Sequence, residues 1–453
     1  MKYQQSDEAN KQPELFKKKK SEMSDAERVL SLQSKLYQKA KQERGYKFYV
    51  LYDKMFLMHM LREAWLQVKS NDGSAGVDNM SIADIEQIGV EQFLKELGEE
   101  LRTQTYQPNA VKRVMRPKAN GGMRPLGIPT VKDRIAQTVC KMIIEPIFEA
   151  DFSESSHGFR PDRSTKDAMK SIKTHLLEGK VEVLDADLSQ YFDTIPHDKL
   201  MIALQERISD PRLLKLIHKW LKVPYVEDNQ YKGGKHNKVG TPQGGVISPL
   251  LANIYLNLLD RIVNNKTSKF SKIGIKIERY ADDFVLMGEQ ISNHAKEKIK
   301  ELLQRMGLSL NEAKTKLIDA RKKSFDFLGF TIRYDKDLKG RNKHYWNIIP
   351  SHKAELKIKS KINEYLKKHG HYSAPKIVDG LNPILRGWLN YYKIEGVSYP
   401  TMSNRRLRYY LYESLNRYYA RKSQRKCRLY GHNAYEVLVQ KYGLIDPTKY
   451  TIA

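Results

Sequence analysis

The sequence predicts an α+β protein that ends in a helical, strongly basic module. Three observations lead there. Hairpin and helix patterns alternate up to about residue 345, long helical patterns dense in Lys, Arg and Tyr follow beyond about Ile349, and positive charge is in large excess.

With 453 residues the chain exceeds what one hydrophobic core usually serves, so two or three packed units are expected. Lys and Arg number 80 against 53 Asp and Glu, a formal charge of +27. Such an excess works against a compact state through self-repulsion unless a polyanion neutralises it, and nucleic acid is the leading candidate. Residues 351–453 hold about 20 Lys and Arg against about 7 Asp and Glu, nearly half of the net charge. Cys140 and Cys427 are the only cysteines, too few for a disulfide framework and without metal-ligand spacing, which fits a reducing compartment. No run of about 18 apolar residues and no apolar signal core is present, so a cytoplasmic protein with no membrane partner is expected.

Residues 1 to about 25, with Lys17 to Lys20, lack apolar periodicity and read as a mobile basic arm. From about Ser24 to Val68 helical spacing predicts two helices, closed by the turn-rich "SNDGSAGVDNM". Residues 100–180 mix turns such as "RPKANGGMRPLGIPT" with helices, of which "VKDRIAQTVCKMIIEPIFEADF" is the clearest. "KVEVLDADL" then reads as a buried strand, "KLMIALQERI" and "RLLKLIHKWLK" as helices, "IKIERYADDFVLM" as a hairpin and "FDFLGFTIRY" as another strand.

Within that hairpin Asp282 and Asp283 stand side by side. Neighbours on a strand point to opposite faces, so both can reach one site only at a turn. Two close carboxylates repel unless a cation joins them, and hard oxygen ligands suit Mg²⁺. A third acid is needed, and "DADLSQYFDTIPH" offers Asp185, Asp187 and Asp193. Asp187 is chosen because it sits at the C-terminal end of its strand, while Asp185 shares its face deeper in the sheet. Acids arranged in this way around two Mg²⁺ ions suit in-line phosphoryl transfer.

From about Met55 to about Tyr430 the chain carries, in order, "GSAGVDNM", "RPLGIPTVKDRIAQ", "HGFRPDRST", "DADLSQYFDTIPH", "GTPQGGVISPLLANIYLN", "RYADDFVLM", "GLSLNEAKTKL", "FDFLGF" and "LNPILRGWLNYY". On these motifs it resembles the reverse transcriptase/maturase encoded by bacterial group II introns. The resemblance implies a right-hand polymerase of fingers, palm with an antiparallel sheet, and thumb, the thumb belonging to an α-helical maturase module, domain X. It divides the chain into a basic N-terminal extension (1–55), fingers (56–182), palm (183–345), and thumb/maturase module with C-terminal tail (346–453). The implied activity is RNA-directed DNA polymerase, together with help to the intron RNA in splicing and mobility.

Under the resemblance Asp187 and Asp282 ligate two Mg²⁺ ions, Mn²⁺ being an alternative, and Asp283 completes the cluster. Phe192 matches a steric gate against the ribose 2′-hydroxyl, which implies dNTP substrates. Lys118 and Arg124 flank a Gly-Gly turn and match positions that hold the triphosphate. Gln243 matches a residue beside nucleotide and primer, and Lys314 one proposed to protonate pyrophosphate, with structural salt pairing equally open. For RNA the candidates are Arg386, Tyr391 and Tyr392, and Arg421, Lys422, Arg425 and Lys426 of the basic run. Trp388 shares helical spacing with Leu385 and Leu389, which favours the core. Implied partners are group II intron RNA or another RNA template, a DNA primer or target, and dNTPs; the implied place is the bacterial cytoplasm, at the nucleoid when on DNA.

The chain departs from the pattern in three respects. No paired cysteines and histidines of a C-terminal nuclease domain are present, about 50 residues precede the usual start, and the last 25 match no DNA-binding tail. Two other readings remain: a non-catalytic RNA-binding splicing cofactor, and a reverse transcriptase adapted to DNA repair or defence in its host.

Overall fold

The first helix of the computed structural model, α1 (Asp25–Gln42), starts at a capping box in which the Ser24 hydroxyl accepts from the Glu27 amide and the Glu27 carboxylate accepts from the Ser24 amide. The structure describes residues 23–117, 122–234, 236–337, 343–422, 429 and 431–451. Lys17 to Lys20, Lys118, Arg425 and Lys426 lie outside these residues.

Val29, Leu36 and Ala40 of α1 face inward. They share one core with α2 (Met58–Ser70), with α4 (Val90–Arg102), which follows the short α3 (Ile82–Ile88), and with α5 (Val131–Glu149). Residues 25–55 thus pack onto the same core as the helices after them. Between α4 and α5, β1 (Val111–Pro117) and β2 (Met123–Ile128) form an antiparallel hairpin, as the Gly-Gly turn predicts.

Next come α6 (Thr165–Leu177), β3 (Glu182–Ala186), the single turn α7 (Tyr191–Thr194), α8 (His197–Gln205) and α9 (Pro211–Leu221). A hairpin of β4 (Pro224–Glu227) and β5 (Gln230–Gly233) then extends the first sheet to the order β2-β1-β4-β5. Helices α10 (Ser248–Asn264) and α11 (Lys269–Lys272) lead to β6 (Lys276–Tyr280) and β7 (Asp283–Gly288), followed by α12 (Asn293–Arg305) and β8 (Lys316–Asp319).

The central sheet has the order β6-β7-β3-β8, antiparallel throughout. Alternation sorts its two faces. Leu184, Ala186, Ile277, Phe284 and Leu286 join the large core containing α5, α10 and α12. Val183, Val285 and Met287 face a second core shared with α6 and with the sheet β11-β10-β9, built from β9 (Phe325–Phe327), β10 (Phe330–Lys336) and β11 (His344–Pro350). Beyond it α13 (His352–Lys368), α14 (Ala374–Tyr392), α15 (Thr401–Arg421) and α16 (Ala434–Tyr442) pack around a third core.

"FDFLGFTIRY" is two strands, not one. Leu328 (φ 49°) and Gly329 (φ 79°) both take left-handed conformations and reverse the chain, pairing Phe327 with Phe330. The β4–β5 hairpin carries no apolar alternation that would announce it; it turns on Asp228 (φ 51°) and Asn229 (φ 60°), residue types that tolerate such angles.

Candidate active site

Tyr280 pairs with Asp283 across the β6–β7 hairpin, leaving Ala281 and Asp282 as the turn. Ala281 holds φ 58°, a strained value for a residue with a Cβ. On the other side of β7 the register pairs Ala186 with Phe284, so one further step brings Asp187 level with Asp283. Alternation then puts Asp185, Asp187 and Asp283 on one face, with Asp282 at the tip.

The electrostatics follow from that crowding. Desolvation, then repulsion from Asp282, Asp187 and Asp185, pushes the Asp283 carboxyl up to about 6. Asp185 is pushed up to about 6 by burial and then by Asp187, with Lys316 opposing. Asp187 Oδ2 accepts from Lys314 Nζ at 3.0 Å and from Asn311 Nδ2 at 3.2 Å. Four carboxylates with hard oxygen donors form a set whose mutual repulsion a divalent cation would relieve, so the residues fit Mg²⁺ in chemistry. Among the described residues no three His, Cys, Asp or Glu side chains close around a common point, and Asp187 is turned onto Lys314.

The hairpin is anchored from beneath. Arg279, fully buried, donates Nε to both Asp260 oxygens (3.0 and 2.9 Å) and Nη2 to Oδ2 (2.5 Å). Its Nη1 donates to Asn253 Oδ1 (2.8 Å) and to the Ala281 carbonyl in the turn (2.7 Å), and Nη2 donates to Ser156 Oγ (2.7 Å). Gly158 abuts the same turn: a Cβ there would overlap the Ala281 backbone nitrogen. Glu278, also buried, accepts from His157 Nε2 (2.9 Å), His175 Nε2 (3.0 Å) and Ser171 Oγ (2.6 Å), which ties β6 to α6. Burial opposes the Glu278 charge, but these donors outweigh it and hold the carboxyl below its ordinary value.

Arg124 of the β1–β2 hairpin donates Nε to Gln243 Oε1 (3.0 Å), and Gln243 Nε2 donates to Asp193 Oδ2 (2.9 Å). The Gly127 amide donates to the Gln243 carbonyl, and Gly244 (φ 111°) lies so close to Gly127 that a side chain there would overlap its carbonyl. Asp193, one of the three candidates for the third acid, therefore orients Gln243. Phe192 is 9% exposed and packs edge-on against Tyr191 (5.5 Å) while its carbonyl accepts from the Thr241 amide (2.7 Å).

The C-terminal candidates divide. Arg386 and Arg421 are exposed on α14 and α15. Tyr392 is a correction: its ring is 8% exposed and packs on Phe330 (4.9 Å) and Trp388 (5.0 Å), so it joins the helical module to the β9–β10 turn and offers no face to a base. Tyr391 stacks on Phe330 and donates its hydroxyl to the Leu328 carbonyl (2.9 Å), yet it stays 37% exposed. Lys422 donates to the Tyr372 carbonyl and lies over the Tyr418 and Tyr419 rings, an intramolecular role. Trp388 sits between the second and third cores, as its spacing predicts. The sequence reading missed Arg279, Glu278 and Asn311; a buried Arg beside a catalytic-looking turn and a "HGF" segment were the available signals.

Residues 116–332 match the family model "Reverse transcriptase (RNA-dependent DNA polymerase)", and residues 356–434 match "Group II intron, maturase-specific domain". Protein YkfC of Escherichia coli (strain K12) is 37% identical over 273 residues, 53% of this chain and 71% of that protein. The chain belongs to the group II intron maturase family of reverse transcriptases. The group II intron-encoded protein LtrA of Lactococcus lactis subsp. cremoris is 41% identical over 183 residues, 40% of this chain and 30% of its own length. An uncharacterized 91 kDa protein in the cob intron of Schizosaccharomyces pombe is 29% identical over 442 residues, 80% of this chain; the chain spans about half of that relative (52%). Among the described residues no helix is long and apolar enough to cross a membrane.

Proposed function

We propose that this reverse transcriptase family member is an RNA-directed DNA polymerase that also binds a group II intron RNA and assists its splicing and mobility. One observation carries the catalytic part: the register that sets Asp187 level with Asp283 beside the Asp282 turn, with the Asp283 carboxyl pushed up to about 6 by burial and its neighbours. Asp187, Asp282 and Asp283 would hold two Mg²⁺ ions, Mn²⁺ being an alternative. When bound, these ions supply charge neutralisation of the triphosphate and acidify the primer 3′-hydroxyl.

The remaining chemistry belongs to the chain. Arg124, on the β1–β2 hairpin, is the guanidinium placed to take a triphosphate oxygen, and Lys118 is its expected partner across the Gly-Gly turn. Gln243, oriented by Asp193, sets the nucleotide-side edge of the site. Phe192, held by its packing, closes the space a 2′-hydroxyl would need. Lys314, released from Asp187, can donate a proton to departing pyrophosphate. For RNA, Arg386 and Arg421 are the exposed guanidiniums of the helical module, with Arg425 and Lys426 continuing the basic run. A bacterial setting, cytoplasmic and at the nucleoid when DNA is bound, is favoured by the identity to YkfC and LtrA.

Primer extension on an RNA template with dNTPs and Mg²⁺ tests the reading. Synthesis by the unaltered protein and its loss in Asp282→Ala, with RNA affinity retained, is the expected pair. Folded, RNA-binding protein that extends no primer would overturn the polymerase and leave a non-catalytic splicing cofactor.

A further inference from the structure

The face of the β9–β10–β11 sheet that is core at Ile332, Ile348 and Trp346 stays aromatic where it leaves the core. Its next positions are Tyr334, paired with Trp346, and His344, at the start of β11. The Tyr334 ring stacks on His344 (centroids 5.2 Å, interplanar angle 19°) and leans on Trp346 (4.6 Å). Tyr399 flanks the edge of β11, its amide donating to the Ile348 carbonyl (2.8 Å). Tyr334 is 36% and Tyr399 46% exposed. These rings line an open cleft of about 520 Å³ whose opposite wall is the end of α6 and the approach to β3.

The charge in the cleft has one sign. Lys173 lies 5.3 Å from the Tyr399 centroid, and Arg321 follows β8; among the described residues no Asp or Glu lines the space. Among the described residues the Arg321 guanidinium meets no carboxylate. The cleft is also remote from the acids. Val181 lines it, and the five residues of β3 separate Val181 from Asp187, about 20 Å over six steps at the rise of a strand. Exposed rings scattered singly are ordinary, but rings clustered together and rimmed by polar groups mark an interaction surface. Part-exposed rings beside cations that meet no carboxylate, of which Lys173 donates to the Gly396 carbonyl (2.5 Å) and the Tyr399 hydroxyl (3.5 Å), on a chain of charge +27, have the chemistry that recognises unpaired bases through stacking and their phosphates through charge.

We propose that this cleft is a binding site for single-stranded RNA, separate from the polymerase cleft, with a base stacked against Tyr334 and Tyr399 and the flanking phosphates on Arg321 and Lys173. Duplex is disfavoured because its bases are already stacked and cannot reach the rings.

The test uses the full chain, first loaded with template–primer so that the polymerase cleft is filled. The probe is a fluorescein-labelled eight-nucleotide oligouridylate containing 5-iodouridine. Expected are ultraviolet cross-links to Tyr334 or Tyr399 and an affinity weakened by about 5- to 150-fold in Tyr334→Ala, the range for losing one stacked base. Tyr334→Phe should bind as the unaltered protein does, which separates stacking from misfolding. Arg321→Ala should weaken binding and flatten its salt dependence. Primer extension should be unchanged in all three, so a failed polymerase reading would show in the unaltered protein and leave the cleft result standing. Unchanged affinity in Tyr334→Ala, cross-links only elsewhere, or equal competition by blunt duplex RNA of the same length would overturn the proposal.

Discussion

Replacing Arg279 by Met removes the cation from a pair in which both side chains are 0% exposed. The Asp260 carboxylate is then buried without compensation, a change that costs about 3–5 kcal/mol. Asn253 Oδ1 and Ser156 Oγ lose their donor as well, adding about 1 kcal/mol each. Against a typical total of about 5–15 kcal/mol, Arg279→Met should unfold at a far lower denaturant concentration. The double variant Arg279→Met, Asp260→Leu removes both charges and should recover most of that loss, since a buried pair replaced by apolar residues of similar volume is often neutral. Activity should not recover with stability. The guanidinium also donates to the Ala281 carbonyl, and without it the strained turn bearing Asp282 loses a charge-assisted hydrogen bond of about 1.5–3 kcal/mol, about 10- to 150-fold in rate if the turn must be held for synthesis. Guanidinium unfolding followed by circular dichroism, alongside primer extension, separates the two effects. Full extension by the double variant would refute the positioning role; an Arg279→Met protein as stable as the original would refute the buried-charge reasoning.

Gly158→Ala would drive a methyl into the Ala281 backbone nitrogen, so primer extension should fall at least about tenfold while the unfolding midpoint shifts by no more than the cost of local overpacking, about 1–3 kcal/mol; extension at the original rate would mean the turn yields freely. The clamp of α6 on β6 should be pH-sensitive at both ends. Burial opposes the charge on His175, but the hydrogen bond and charge of Glu278 prevail and raise its pKa above 6.5, so its stabilisation is complete below 6.5 and is lost as pH rises through the raised value. Glu278 is held below 4.5, so its contribution is present above 4.5 and lost as pH falls through the lowered value. Melting temperature should therefore fall on the alkaline side in the original protein and less steeply in His175→Gln, and parallel profiles from pH 6 to 9 would contradict the coupling. Phe192→Val should admit ribonucleotides by opening the space beside the sugar, measured as incorporation of rNTP against dNTP; unchanged sugar selectivity would remove Phe192 from the gate.

Much of the architecture was legible because local pattern and tertiary role agree. The Gly-Gly turn of the β1–β2 hairpin, the apolar flanks of "RYADDF" and the spacing of Leu385, Trp388 and Leu389 each specify an element or a buried face directly. Legibility failed where the deciding contact is distant in the chain. "FDFLGFTIRY" has the composition of a continuous strand, and only the left-handed pair Leu328–Gly329 breaks it. Strand β4 pairs in parallel with β1, more than a hundred residues earlier, so nothing near Tyr225 announces it. Tyr391 and Tyr392 look like equivalent base platforms in a basic helical module, yet the β9–β10 turn buries Tyr392 against Phe330 and leaves Tyr391 37% exposed.

The sequence by itself determined the class of chemistry: adjacent acids at a hairpin tip, an acid-ended strand, a large positive charge and an ordered set of motifs. Composition and short-range period suffice for these, because they record which groups are present and which way each strand faces. Tertiary structure alone decided that Asp193 orients Gln243, that Lys314 lies on Asp187, and that Arg279, His157 and His175 brace the hairpin. Most of those outcomes depend on strand register and on side chains that meet from far along the chain, as Asp193 and Gln243 do 50 apart and His157 and Glu278 do 121 apart, and separations of that kind have no signature in local pattern.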